Sequence, residues 1–188
     1  MVSGRGLAKR YGDKRVFRDL DVELPAGGFL LVTGPNGSGK TTLLRMLAGL
    51  AVPTAGELSL PPRATIGYLG HEPLVYRELT PLENLTLFAR LYRVELERVG
   101  MLLERFGLWD VRNDRVSTFS RGMQQRLGLC RVLLHEPELL VLDEPTNALD
   151  AQGLELFDGV LDESRTWIVA THEPERVETR ATTRLAFA

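Results

Sequence analysis

The 188-residue chain has a single cysteine, Cys130, so no internal disulfide can brace it. One cysteine points to a reducing compartment, and a small buried hydrophobe is the default role for it. No apolar stretch approaches the roughly 18–20 residues of a membrane span, and Met1-Val2-Ser3-Gly4-Arg5 lacks the apolar core of a signal peptide. Work at a membrane would therefore require another chain to cross it. Neither sign of charge is in excess: the formal net charge is −2, which gives no electrostatic case for a nucleic-acid surface. Repeats, low-complexity tracts and long linkers are also missing, so residues 1–188 read as one domain large enough for a real core.

What is present is concentrated between residues 29 and 49. Phe29-Leu30-Leu31-Val32-Thr33 is a short apolar run that reads as a buried strand. Leu43, Leu44, Leu47 and Leu50 then fall near helical spacing, with Gly49 placed to cap the helix end. Between strand and helix stand Gly34, Pro35, Asn36, Gly37, Ser38, Gly39, Lys40, Thr41 and Thr42, which contain the full G-x-x-x-x-G-K-[ST] pattern. Glycines let consecutive N–H groups turn inward around a phosphate with no Cβ in the way. The helix N-terminus faces the same anion. Lys40 would reach the β- and γ-phosphates, and the Thr41 hydroxyl would ligand Mg²⁺. A glycine-rich turn with an exposed lysine is the plainer alternative, but strand, loop and helix follow in the order the pattern requires. This stretch is a nucleoside triphosphate site.

Elsewhere, residues 2–8 and 16–24 look like strands joined by a turn at Tyr11-Gly12-Asp13-Lys14. Pro53-Thr54-Ala55-Gly56 makes another turn, and Glu57–Leu60 and Ala64–Leu69 read as short strands. From about residue 72 the pattern becomes helical. Thr80-Pro81-Leu82-Glu83 is a capped helix start; a second helix carries Leu96, Val99, Leu103 and Phe106, and a third opens at Ser120. The block 72–136 is thus predicted to be a helical insertion in a core of alternating strands and helices. That core resumes with Leu139–Leu142 and Thr166–Ala170. Such alternation predicts an α/β fold with a mostly parallel sheet and ligands at the strand C-termini.

Leu139–Leu142 delivers two adjacent acids, Asp143 and Glu144, at a strand C-terminus. Asp143 is placed to hold Mg²⁺ and Glu144 to polarise an attacking water. Two acids could form a solvated loop, but four apolar residues and a phosphate loop in the same chain favour the catalytic reading.

Phe119-Ser120-Arg121-Gly122-Met123-Gln124, just upstream of that strand, resembles the signature of the ATP-binding cassette (ABC) ATPases, and the resemblance extends over essentially the whole chain. It keeps the serine and second glycine of Leu-Ser-Gly-Gly-Gln, while Arg121 and Met123 depart from the commonest form. The resemblance implies a cassette with an N-terminal antiparallel β part and a helical subdomain. It also implies a homodimer in which Ser120, Gly122 and Gln124 of one copy meet the ATP held by the other. Tyr11 resembles the aromatic that stacks on adenine, Asn147-Ala148-Leu149-Asp150 the loop linking the two sites, and His172 the switch histidine at the γ-phosphate. His71 falls where the family has a Mg²⁺-sensing glutamine; His71 or Glu72 stands in for it, or the loop backbone does. Gly70-His71, Leu79-Thr80 and Leu82-Glu83-Asn84-Leu85 resemble the ATPase subunit of the cytochrome c maturation haem exporter. The expected protein is then a cytoplasmic ATPase, peripheral on the inner face of the cell membrane and partnered by integral-membrane permease subunits. Small drug or polysaccharide exporters share many of these features. A soluble ABC ATPase acting on DNA or ribosomes is disfavoured by the lack of a long coiled-coil insertion or second cassette. A P-loop kinase or GTPase is disfavoured because no Asn-Lys-x-Asp guanine-recognition pattern is present and the Ser120–Gln125 element would then have no task.

Overall fold

A computed structural model describes residues 1–161 and 164–187. The chain forms two compact units. One contains Met1–Tyr68, Glu138–Glu144 and the chain from Arg165 on; the other contains Leu69–Pro137 and Pro145–Ser164.

The first unit carries two sheets. Strands β1 (Val2–Tyr11) and β2 (Lys14–Leu24) form an antiparallel hairpin with β4 (Ala55–Ser59) on the other side of β1. Both hairpin strands are longer than the sequence pattern predicts, and the turn shrinks to Gly12-Asp13, with Gly12 at φ 56°. A two-residue turn needs positive φ to match the strand twist, which glycine supplies without strain. The predicted turn at 53–56 is likewise shorter, because β4 already begins at Ala55.

The second sheet runs β5-β6-β7-β3-β8, with β3 at Phe29–Thr33, β5 at Ile66–Leu69, β6 at Leu139–Asp143, β7 at Thr166–Ala170 and β8 at Thr183–Ala186. The pairs β6–β7, β7–β3 and β3–β8 are parallel. Every residue of β6 and β7 is buried, which explains their unbroken apolar runs. Strand β8 escaped the sequence reading, since Thr183-Arg184-Leu185-Ala186 lies at a sheet edge and its side chains alternate between half-buried and exposed. Residues 63–65 form a 3₁₀ turn, so β5 starts at Ile66 and not at Ala64. Helix α1 (Lys40–Leu47) packs on β6 and β7 through Leu43, Leu44, Met46 and Leu47, all fully buried.

Register sets the site. Asp143 stands opposite Ala170, and Ala170 stands opposite Val32. Three parallel strands therefore end at one level, and the residues just beyond them are Gly34, Glu144 and His172. Ligands collect at this edge of an open α/β sheet.

The second unit is built from α2 (Pro81–Tyr92), α3 (Glu97–Arg105), α4 (Arg121–Leu133) and α5 (Ala151–Leu161). It takes in residues 145–164 as well as the helical block expected from the sequence. Helix begins at Pro81, at the start expected from Thr80-Pro81-Leu82-Glu83, and residues 72–80 ahead of it are not helical. The Thr80–Glu83 capping box closes at 2.8 and 3.2 Å, and the buried Asn84 amide bonds the Tyr76 N–H and carbonyl and the Thr80 carbonyl, holding 76–80 as a loop. Helices α2, α3 and α4 pack on one another around Leu85, Ala89, Leu103, Phe106, Leu127 and Cys130. Cys130 is the buried hydrophobe expected of it, and burial pushes its thiol pKa well above the ordinary range.

Candidate active site

The loop Gly34–Thr42 leaves β3 and turns into α1 through three glycines at positive φ: Gly34 at 141°, Gly37 at 80° and Gly39 at 114°. L side chains rarely adopt these angles. Pro35, Asn36 and Gly37 form the exposed crest, and Ser38 donates its N–H to the Pro35 carbonyl at 3.3 Å. The Ser38 hydroxyl is buried and has no hydrogen-bond partner among the described residues. Such a group is rarely left unsatisfied, and a phosphate oxygen in the loop would satisfy it. Lys40 is buried, and its ammonium donates to the Gly34 and Pro35 carbonyls at 2.6 and 3.1 Å. It thereby ties the start of the loop to the start of the helix and places a positive charge beside the inward-facing N–H groups. Thr42 follows on the first turn of α1, half-buried.

Thr41 Oγ1 lies 2.6 Å from Asp143 Oδ2, so the phosphate loop and the β6 terminus meet. Asp143 is only 2% exposed. A hydroxyl and a carboxylate are the hard oxygen donors that Mg²⁺ takes, and this pair fits that ion. His71 belongs to the other unit, and its imidazole nitrogen is a less suitable donor for Mg²⁺. His71 and Glu72 are both exposed and line a cavity of about 560 Å³ with Arg77, Arg121, Gln124 and Asn147.

Glu144 has φ 52°, outside the range a glutamate prefers. Its N–H donates to the Ala170 carbonyl at 2.8 Å, which fixes the turn. Its carboxylate accepts the His172 N–H at 3.2 Å and pairs with His172 Nδ1 at 2.8 Å. Glu144 is nearly enclosed, with its side chain 11% exposed, while that of His172 is 58% exposed. The switch histidine of the sequence reading thus orients the carboxylate that follows β6, a pairing that spacing alone did not reveal. Tyr11 closes β1 with its ring 53% exposed, and the Lys9 ammonium sits 5.0 Å from the ring centroid.

In the helical unit, Ser120 is the N-cap of α4: its hydroxyl accepts the Met123 N–H at 3.2 Å. Gln124 donates its amide to the Phe119 carbonyl at 3.0 Å. Gly122 has no room for a side chain, since a Cβ there would come within 2.7 Å of the Ala148 carbonyl oxygen. Two further residues of α4, overlooked in the sequence, hold that loop. Gln125 donates to the Pro145 carbonyl at 3.1 Å, and the buried Arg126 reaches the Gln152 amide oxygen at 3.4 Å and Asp150 at 3.9 Å. Asp150 in turn caps α5 by accepting the Gly153 N–H at 2.8 Å. Two adjacent polar residues, Gln125 and Arg126, directly after the signature were the available signal.

Comparison with known proteins settles the family. Residues 17–147 match the family described as ABC transporter. The chain belongs to the ABC transporter ATPases. The cytochrome c biogenesis ATP-binding export protein CcmA of Rhizobium meliloti (strain 1021) is 38% identical, over 92% of this chain and 91% of its own length. The lantibiotic transport ATP-binding protein SrtF of Streptococcus pyogenes is 32% identical, with 95% and 82% covered. An uncharacterized ABC transporter ATP-binding protein of Bacillus subtilis (strain 168), YdbJ, is 36% identical, and the chain spans 61% of its length. Among solved structures, the dimeric post-hydrolysis state of the cassette MJ0796 bound to ADP and Pi superposes with a TM-score of 0.86 at 26% identity, covering 100% of this chain and 94% of that one. The cassette architecture, with its parallel core sheet, antiparallel sheet and helices, is that of this family, and the chain is an ATP-binding ATPase.

Proposed function

We propose that this cassette hydrolyses ATP to power export through a separate membrane subunit. Among the described residues no helix is long and apolar enough to cross a membrane. The observation that carries the catalytic part is the level edge where Lys40, Thr41, Asp143, Glu144 and His172 are gathered from three neighbouring parallel strands. Lys40 and the Gly34–Thr42 loop hold the β- and γ-phosphates, and Tyr11 stacks on the adenine. Thr41 and Asp143 would hold Mg²⁺, which supplies charge neutralisation on the phosphates. Glu144, oriented by His172, takes the proton of the attacking water.

Two copies sandwich two nucleotides, with Ser120, Gly122 and Gln124 of each copy at the ATP of the other. The dimeric state of the similar cassette MJ0796 supports the pairing of two copies. Separation of the pair after hydrolysis is passed to integral-membrane permease subunits through residues 71–92, which places the working protein on the inner face of the cell membrane. The chain as a whole then acts as one nucleotide-binding domain.

Haem export for cytochrome c assembly is the substrate reading we adopt. It is supported by the Gly70-His71 and Leu82–Leu85 resemblances and by the CcmA relatives. Drug export is the second reading, since the daunorubicin resistance protein DrrA3 of Streptomyces coeruleorubidus is 41% identical over 82% of this chain. Replacing the chromosomal copy by Glu144→Gln decides between them. Loss of covalently haem-bound c-type cytochromes with unchanged drug tolerance is expected; intact cytochromes would overturn the haem reading.

A further inference from the structure

Both ends of the phosphate loop rest on one aromatic residue that none of the motifs includes. Phe187 follows β8, and its N–H donates to the Thr33 carbonyl at 2.9 Å, which carries the β3–β8 ladder to the last residue of β3, just ahead of the loop. A Cβ on Gly34 would come within 2.8 Å of both Phe187 Cβ and the Phe187 carbonyl oxygen. At the other end, a Cβ on Gly39 would meet Val16 Cγ1 at 2.8 Å, Phe17 Cδ1 at 3.3 Å and Phe187 Cε1 at 3.5 Å. The Phe17 and Phe187 rings pack edge to face at 5.9 Å between centroids. Gly34 and Gly39 are the points where the loop leaves its strand and enters its helix. Phe187 therefore lies close to both, through its Cβ and backbone carbonyl at Gly34 and through its ring edge at Gly39, and Phe17 of the antiparallel sheet packs on that ring.

We infer that Phe187, backed by Phe17, is a positioning residue for ATP, fixing the span between Gly34 and Gly39 over which the loop N–H groups converge on the phosphates. The inference rests on reading Gly34–Thr42 as the triphosphate loop. Its energetic logic is preorganisation. A loop held at both ends needs no reordering when the nucleotide arrives, whereas one that has lost the ring at its Gly39 end must order that end upon binding. Glu144 and His172 leave β6 and β7, strands that Phe187 does not extend, and their mutual hydrogen bonds do not involve the ring. The consequence is a split: removing the ring weakens ATP binding and leaves the turnover of bound ATP nearly intact.

The test compares Phe187→Ala, Phe187→Leu and Phe17→Leu with the parent, in the full chain, by calorimetric ATP titration and steady-state hydrolysis well below the melting temperature. Trp167→Leu is the control. Trp167 stacks on Phe29 at 6.5 Å, at the opposite ends of β7 and β3 from the loop, and is fully in the core. We expect Phe187→Ala to raise Kd and KM for ATP by about tenfold, as a loss of about 1.4 kcal/mol of binding free energy would, with kcat within about twofold of the parent. Phe187→Leu should recover most of the affinity, and Phe17→Leu should show a smaller increase. Trp167→Leu should lower the melting temperature without changing Kd. Parent-like affinity in Phe187→Ala would overturn the inference, as would a fall in kcat at constant KM, or an equal rise in Kd for Trp167→Leu. Should Phe187→Ala not fold, Phe187→Leu and Phe17→Leu decide the question by the same split. If the parent and Lys40→Ala bind ATP equally, the triphosphate reading itself fails, and that outcome is separable because it does not involve Phe187.

Discussion

The two units of the cassette use their motif residues in different ways. In the sheet unit, hydrogen bonds and buried strands position the functional groups, and chemical capacity is left over. Ser38 keeps a buried hydroxyl without a partner among the described residues, and the Tyr11 ring is exposed. In the helical unit the motif residues are occupied by local structure: Ser120 caps α4, Gln124 bonds the Phe119 carbonyl, and Gly122 makes room for the Ala148 carbonyl. A motif in the first unit is therefore read as chemistry directly. The second motif demands separation of a folding role from a trans role. The difference can be broken by substitutions that act on one and spare the other.

The largest effect belongs to the sheet unit. Glu144→Gln keeps the shape at φ 52° and removes the basicity, so turnover should fall by about 10²–10⁴-fold. Nucleotide binding should persist, because Lys40, Thr41 and Asp143 are untouched. With hydrolysis blocked, ATP and Mg²⁺ should shift the variant toward a dimer by mass action, which light scattering behind a sizing column reads. Normal hydrolysis by this variant would remove Glu144 from its role.

Lys40→Ala acts on the same unit one step earlier. It removes a buried cation and both of its bonds to the loop carbonyls, so ATP affinity should collapse while far-UV circular dichroism stays as in the parent. Equal affinities by calorimetry would count against the loop as the site.

Gly122 is the point where the comparison is sharpest. A methyl group at 2.7 Å from a backbone oxygen forces the 147–150 loop to move, and overpacking of this kind costs typically about 1–3 kcal/mol. Gly122→Ala should therefore lower the melting temperature somewhat. Gly122→Asp adds a carboxylate that would repel the partner's triphosphate. Both should bind ATP as the parent does, and Gly122→Asp should lose turnover far beyond Gly122→Ala. Equal turnover in the two would leave Gly122 with the packing role alone.

How much could be read beforehand follows the same division. The Gly34–Thr42 loop was legible because its chemistry and its fold use the same residues in one continuous stretch. Asp143 and Glu144 were legible because a fully buried strand has an unmistakable apolar run. Strand β8 and Phe187 were not, since an edge strand with half-buried side chains carries no such signal, and their partner lies some 150 residues away in the chain. The Glu144–His172 pair was equally hidden, as it depends on the register between β6 and β7. In the helical unit the helix start at Thr80-Pro81 was legible from its capping box, whereas the role of buried Asn84 in holding the preceding segment as a loop was not. Arg126 was passed over because a buried arginine on a helix looks like a solvated one until its partners are known.

The smallest expected effect falls on Ser120, whose two roles can be pulled apart by choice of replacement. Its hydroxyl accepts the Met123 N–H, and losing such a cap to alanine costs about 1 kcal/mol, whereas glycine at the same position costs only a few tenths. Both replacements delete the hydroxyl that the dimer reading places at the partner's γ-phosphate. Ser120→Ala and Ser120→Gly therefore differ in helix stability and agree in what they remove from the nucleotide. If the hydroxyl works in trans, hydrolysis at saturating ATP should fall by a similar factor in both, while only Ser120→Ala shows the larger drop in melting temperature. If Ser120 is a cap and nothing more, activity should follow stability, with Ser120→Gly close to the parent. Melting curves and hydrolysis rates on the same two preparations are enough, and a parent-like rate in Ser120→Gly would take Ser120 out of the nucleotide site.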